Sequence, residues 1–254
     1  MRFSTTDGGR AGRGRPVRKG DMRREELLAT AEKLFYTKGY EQTSVQDILT
    51  EMHFSKGGFY HHFDSKLSVL EAICEERARE TCELARQAVA ACSGAAPEKL
   101  NALFHTSALW QSENPGFVAL LIGVAYRPDG ALMREKMKAC QLACMQGVME
   151  EVVAEGVRTR AFMADDVPSC AELVLRLYMQ FTDEIAFLLA QEESESRMNE
   201  AMIRKLRAYR TAIERTLLAP FGSVVLFEAK ELCLLGQRIL AGRVRKRADV
   251  LLGK

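Results

Sequence analysis

The chain has 254 residues, 47% of them apolar, enough to fill a sizeable core in one large domain or two smaller ones. It has no uninterrupted apolar run of the ~18 residues a membrane helix needs, and its Arg- and Gly-rich start lacks the apolar centre of a secretion signal, so a cytoplasmic protein with no membrane partner is expected. The net charge of +2 conceals +6 over residues 1–24, +5 over residues 237–254 and −9 between them, a distribution suited to local contact with a polyanion.

Residues 1–20 combine Gly8, Gly9, Gly12, Gly14, Pro16 and Gly20 with arginines and almost no large apolar side chain, so they read as a disordered basic arm. From Asp21, taken as an N-cap, Leu27, Leu28, Ala31, Leu34 and Phe35 recur at helical spacing up to Gly39. Thr43 and Ser44, with Asp47 three residues past Ser44, open a second, short helix carrying Val45, Ile48, Leu49 and Met52. Ser55 opens a third through Phe59, Tyr60 and Phe63, and Asp64 or Ser65 opens a long fourth with Leu67, Leu70, Ile73 and Cys74.

Beyond Ser93-Gly94, the punctuation at Pro97, Pro115, Pro128-Asp129-Gly130, Gly156 and Pro168 divides further helical stretches. Leu132, Met133, Met137, Cys140, Cys144, Val148, Val152 and Val153 trace one long helix. Cys170 through Leu188 trace another, and Met198 through Leu217 a third, closed by Pro220 and Gly222. Residues 223–241 read as one more helix before a basic tail. The seven cysteines lack a paired CxxC spacing and a nearby His, so no metal is expected and the thiols read as reduced and mostly buried. Cys140 and Cys144, four apart, fit a thiol sensor or soft-metal site on one helix face, or simply two small core residues.

Two short helices around a tight turn, after a stabilising helix, fit a helix-turn-helix. The run Ser55-Lys56-Gly57-Gly58-Phe59-Tyr60-His61-His62-Phe63-Asp64-Ser65-Lys66 sets it apart from a generic bundle. Two glycines in two turns cost about 1 kcal/mol each relative to Ala, which points to close approach of a ligand to the backbone, and the donors beside them suit phosphate oxygens.

Gly39-Tyr40, Thr43-Ser44-Val45, Ile48, Ser55-Lys56-Gly57, Phe59-Tyr60-His61-His62-Phe63 and Ser65-Lys66 resemble, in order and spacing, the N-terminal pattern of the TetR family of transcriptional regulators. The resemblance spans residues 21–81, with the motif at 44–63. It implies an all-α fold in which a three-helix helix-turn-helix domain is joined by a long helix to a C-terminal helical effector and dimerisation domain, 82–222, followed by the extra helix and tail of 223–254. Residue by residue it implies that Thr43 or Ser44 contacts phosphate and Gln46 reaches a base edge. Ser55, Lys56, Gly57 and Gly58 begin the recognition helix, Tyr60, His61 and His62 meet phosphate or bases, and Lys66 is a further phosphate ligand. Phe59 and Phe63 are expected to be structural. Leu49 and Met52 replace the family's usual small residues, His53-Phe54 its Gly-Val turn, and Gly58 its Thr-like residue. His tolerates a left-handed turn better than most residues.

Two features lie outside that motif. Arg13-Gly14-Arg15-Pro16 fits either the core of an AT-hook in a narrow A·T-rich minor groove or a plain basic tail. In the C-terminal part Phe104, Trp110, Phe117, Tyr126, Met137, Cys144, Tyr178 and Phe181, with Met133, Met145 and Phe162, are candidates to line an apolar pocket, although each also reads as ordinary core. His105 reads as a core histidine. The expected partners are double-stranded operator DNA, a second copy of the chain through residues 167–190 and 197–218, and a largely apolar small-molecule effector; no cofactor is expected. A ligand-released repressor is the leading reading, and a ligand-independent regulator answering to a protein partner the alternative. The sequence shows no phosphate loop, HExxH or nucleophile–base pair that an enzyme would need.

Overall fold

The computed structural model describes residues 19–127, 130–191 and 194–251, and the side chains of most of them. Among the described residues there are ten helices and no strand: α1 (Lys19–Thr37), α2 (Val45–Glu51), α3 (Lys56–His62), α4 (Lys66–Ala91), α5 (Ala96–Glu113), α6 (Pro115–Ala125), α7 (Ala131–Arg158), α8 (Val167–Gln191), α9 (Glu195–Leu217) and α10 (Ala229–Leu251). The fold is all-α as expected. The arm residues up to Arg18, including Arg13 and Arg15, lie outside the described residues.

Local chemistry accounts for the starts and stops. Ser44 and Asp47 form a capping box on α2, Ser55 accepts from Gly58 N at 3.1 Å on α3, and Ser65 and Ser68 form a second box on α4. The α1–α2 turn uses Gly39 at φ 95, and the α2–α3 turn puts His53 at φ 50, a left-handed position His adopts more readily than bulkier residues. Asp21 is not the cap of α1. The helix is already running at Lys19, because apolar spacing marks the buried face and not the polar first turn.

Two clusters form the interior. The N-terminal one holds Leu27, Phe35, Ile48, Phe59, Leu70 and Ile73, each at most 2% exposed, and burial of each contributes roughly 1.5–3 kcal/mol. Phe117, Ala125 and Met133 of α6 and α7 complete that cluster, so it is not sealed off from the rest. The larger cluster draws on α4 to α10. α4 belongs to both, through Leu70 and Ile73 at one end and Ala85 at the other.

The C-terminal stretch departs from the sequence reading. Residues 223–228 are not helical, and α10 begins at Ala229 and runs on through the basic tail to Leu251. Polar side chains satisfy this segment's backbone in place of helical bonds: the buried Glu214 carboxylate accepts from Gly222 N at 2.8 Å and Val224 N at 3.2 Å. Asn101 donates to Ser223 O and accepts from Val225 N, both at 2.8 Å. Val224, Leu226 and Phe227 are thereby buried. Gly156 does not divide two helices but lies in the last turn of α7, where its missing Cβ leaves room for the Phe162 ring.

The cysteines and the histidine also need correction. Of the seven free thiols Cys74, Cys82 and Cys170 are buried, whereas Cys92, Cys140, Cys144 and Cys233 are only half-buried, because they sit at the margins of helix interfaces. Among the described residues no His, Cys, Asp and Glu group is arranged to hold a metal. His105 is exposed, since its place on α5 faces away from the core that Leu103 and Phe104 enter. Leu132, at 68% exposure, lies off the buried stripe of α7.

Candidate nucleic-acid interface and ligand cavity

The first candidate surface is made by the start of α2 and the outer face of α3. Ser44, Gln46, Ser55, Lys56, Gly57, Tyr60 and His61 are exposed there, and Gly58 and His62 partly so. Phe59 and Phe63 point the other way into the N-terminal core, as the sequence implied. Ser44 caps its own helix through Asp47, Gln46 reaches only Thr50 at 3.4 Å, and Tyr60 stands at 48% exposure against the edge of Phe59. These groups are exposed on α2 and α3, with the Ser44 and Ser55 hydroxyls engaged in capping their own helices.

Three of the candidates behave differently. Thr43 is 1% exposed and donates to Gly39 O at 2.7 Å, so it fastens the turn after α1 and is closed to phosphate. Lys66 donates to Tyr40 O at 2.6 Å and lies 4.2 Å over the Tyr40 ring; partial burial lowers its pKa, and its ammonium secures the α1–α2 turn. Gly58 lacks a side chain for an internal reason: a Cβ there would come within 2.6 Å of the Phe54 ring, whereas one at Gly57 would meet nothing within 4 Å. The two departures at Phe54 and Gly58 therefore compensate each other, a ring filling the space a side chain gives up. Close approach to the backbone remains open only at Gly57.

The electrostatics of this face are lean. Lys33 pairs with Glu51 at 3.0 Å and Lys38 with Asp47 at 2.7 Å, which leaves Lys56 as the only lysine of residues 25–70 without an ion pair or hydrogen bond among the described residues. The Lys38 partner, with Ser44 as hydrogen-bond donor, holds the Asp47 carboxyl well below the usual carboxylate range.

The second candidate site is a cavity of about 200 Å³ between α4, α5, α6, α7 and α8. Of the expected lining residues, Trp110, Phe117, Tyr126, Met137 and Tyr178 border it, as do Met133 and Met145. Phe104, Cys144, Phe181 and Phe162 do not. Phe104 stacks behind Tyr178 at 4.7 Å, Phe181 faces Tyr209 at 5.9 Å, Phe162 lies on Gly156, and Cys144 is a free, half-buried thiol. Phe104 and Phe181 are on the right helices but face into the solid core, a difference that spacing alone does not resolve; Phe162 lies in the α7–α8 connection and enters the same core.

The polar end of the cavity was missed. Asp183, 9% exposed, accepts from Tyr126 Oη at 2.7 Å and Lys138 Nζ at 3.1 Å. The signal available was an acid inside the apolar run of α8. Desolvation, reinforced by the bond to Asp183, pushes the Tyr126 phenol up, so it stays a neutral donor. Trp110, Leu121, Tyr126 and Met137 line the cavity and also pack against the N-terminal core, with Phe117 and Met133 buried in it.

Comparison with known proteins matches residues 27–73 to the family described as bacterial regulatory proteins, tetR family. An uncharacterized HTH-type transcriptional regulator from the lacX 3' region of Lactococcus lactis subsp. lactis is 41% identical over 56 residues, 22% of this chain and 29% of the relative, so the chain spans under a third of that protein's length. Among solved structures, a TetR-family transcriptional regulator from Pectobacterium atrosepticum superposes with a TM-score of 0.57 at 20% identity, covering 80% of this chain and 97% of the other. The TetR-family repressor FadR of Thermus thermophilus, in complex with lauroyl-CoA, superposes at 0.54 and 18% identity, covering 74% and 93%. Over about three quarters or more of its length the chain therefore has the fold of these solved structures.

Proposed function

From the premise that its N-terminal domain is a tetR-family domain, we propose that this chain is a sequence-specific DNA-binding transcriptional regulator, a repressor released from its operator when a small, largely apolar molecule enters the α4–α8 cavity. One observation carries the reading: the cavity and the N-terminal core share Phe117 and Met133. A ligand that displaces the cavity wall changes the packing beneath α1 and α4, and with it the placement of α3. The Thermus relative is in complex with lauroyl-CoA, whose acyl chain, though not its charged coenzyme A part, is apolar like the guest proposed here.

In this reading Ser44, Gln46, Ser55, Lys56, Gly57, Tyr60, His61 and His62 face DNA, with Gln46 and the start of α3 in the major groove and the others on the backbone. Two chains pair through α8 and α9, and entry of both α3 helices into successive major grooves requires them about 34–40 Å apart.

Selection of random duplex DNA by the full-length protein tests the first half. Enrichment of an inverted repeat supports it, and recovery of unrelated sequences overturns it. For the second half, Met137→Trp fills the cavity without touching α3. Affinity for the selected duplex should fall about tenfold, within the range of allosteric couplings. Unchanged affinity would promote regulation by a protein partner, the reading a silent cavity favours.

A further inference from the structure

Among the described residues, all but one of the charges that border the cavity, Arg134, are already in ion pairs. Arg77 pairs with Glu32 and Glu80, both at 2.7 Å, Lys136 with Glu71 at 2.9 Å, and Lys138 with Asp183 at 3.1 Å. Glu75 pairs with Arg79 at 3.0 Å, and Arg134 donates to Ala125 O with its guanidinium 5.4 Å over the Tyr126 ring. An anionic guest finds only the Arg134 guanidinium without a carboxylate partner, itself held by Ala125 O and the Tyr126 ring; elsewhere an ionic guest would have to break a pair while giving up its own hydration, a cost that a mostly apolar chamber does not return.

One fully buried polar atom among the lining residues is left unpaired. The Tyr178 hydroxyl is buried, borders the cavity beside Ser107, and makes no well-formed hydrogen bond among the described residues. Its ring is held by stacking on Phe104 at 4.7 Å, so the hydroxyl is aimed by the core and not free to search for a partner. A buried donor left unpaired costs about 1–3 kcal/mol, and such a group calls for a partner. By contrast, the other cavity phenol, Tyr126, is satisfied by Asp183.

We propose that the cavity binds a neutral, largely apolar molecule bearing one hydrogen-bond acceptor, a ketone, ester or ether oxygen, and that Tyr178 donates to that oxygen. This rests on the effector reading above and narrows it to a ligand class. Burial pushes the Tyr178 phenol up to about 12, so it remains a donor at neutral pH. Met133, Met137, Met145 and Met179 supply an adaptable wall for the apolar remainder, and Trp110, the chain's single tryptophan, reports on occupancy.

Three probes of one skeleton test this: butyrophenone with a neutral carbonyl, butylbenzene without it, and 4-phenylbutyrate with a charge. Each is titrated into the full-length protein by calorimetry and by Trp110 fluorescence. Butyrophenone should bind about tenfold more tightly than butylbenzene, the worth of one well-formed buried hydrogen bond, and 4-phenylbutyrate more weakly than either. Tyr178→Phe should erase the preference for the ketone while leaving butylbenzene affinity unchanged, which also shows that the variant folds. Tightest binding of the anion, or a ketone preference that survives Tyr178→Phe, would overturn the ligand class while leaving the cavity an effector site. Failure of all three probes to bind would overturn both readings.

Discussion

Phe54 and Gly58 illustrate how a pair of side chains replaces a family pattern by mutual accommodation. Gly58→Thr should destabilise the fold by about 1–3 kcal/mol through the clash with the ring, and Phe54→Val in the same chain should recover much of that loss. Independent effects of the two substitutions in thermal denaturation would rule out the compensation. Gly57→Ala meets open space inside a helix and should stabilise folding by up to about 1 kcal/mol, while weakening DNA binding if the backbone there is approached. Tyr60 and Lys66 separate in the same way. Tyr60→Phe removes an exposed hydroxyl and should lower affinity for every duplex without touching stability, whereas Lys66→Ala frees two carbonyls at the α1–α2 turn and should lower the melting temperature by several degrees. A Lys66→Ala protein of normal stability and reduced salt dependence of binding would restore that residue to the DNA surface. Asp47 adds a pH signature: its pKa is depressed on folding, so its contribution is present at neutral pH and is lost as pH falls below about 4. Asp47→Asn should flatten that part of the acid stability curve.

At the level of helices, α6 and α10 carry most of the structural news. α6 enters the N-terminal core through Phe117 and Ala125, and Arg127 just beyond it pairs with Glu41 near the α1–α2 turn. The short apolar helix is therefore a physical link between the cavity and the DNA-facing motif. α10 packs against α9 where Gly236 leaves room for Met198 and Met202; a Cβ there would come within 2.8 Å of Met198 Cε and 2.9 Å of Met202 Cε. Gly236→Val should cost about 1–3 kcal/mol, and a chain ended after Gly222 should lose the cover that Leu232, Leu235 and Ile239 provide and aggregate on heating. Unaltered melting of both variants would make α10 a passive addition.

For the molecule as a whole, charge and assembly govern how it meets DNA. Residues 25–70 carry a net negative charge, with three of their four lysines already engaged, so long-range attraction must come from elsewhere. The +6 of residues 1–24, adjoining the motif in sequence, is the nearer source, and the +5 of residues 237–254 a second. Removing residues 1–18 should weaken DNA binding and lower its salt slope while leaving oligomeric state unchanged. Arg13→Ala with Arg15→Ala separates the two readings of the arm: a minor-groove hook predicts a larger loss on A·T-rich flanks, a plain basic tail an equal loss on every flank. Sedimentation of the full-length protein checks the pairing through α8 and α9, and a monomer that binds DNA as a monomer would exclude it.

Helical periodicity, capping residues and glycine or proline punctuation made the all-helical fold, the four N-terminal helices with their helix-turn-helix and the long helices α7, α8 and α9 legible in the chain, because these are local signals within a few residues of one another. Ser44, Ser55 and Ser65 were readable as caps for that reason, and so was the left-handed turn at His53. Which side of a helix meets a neighbour was not readable. Thr43 and Lys66 were assigned to the DNA surface, but their partners, Gly39 O and Tyr40 O, lie across a turn whose closure depends on packing. Phe104 and Phe181 have the same spacing on their helices as true cavity residues, and only the arrangement of five helices in space makes one aromatic a wall and another its backing. The non-helical segment before α10 follows the same logic. Its backbone is satisfied by Glu214 and Asn101, the latter more than 100 residues away in sequence, so its shape is a property of the assembled core.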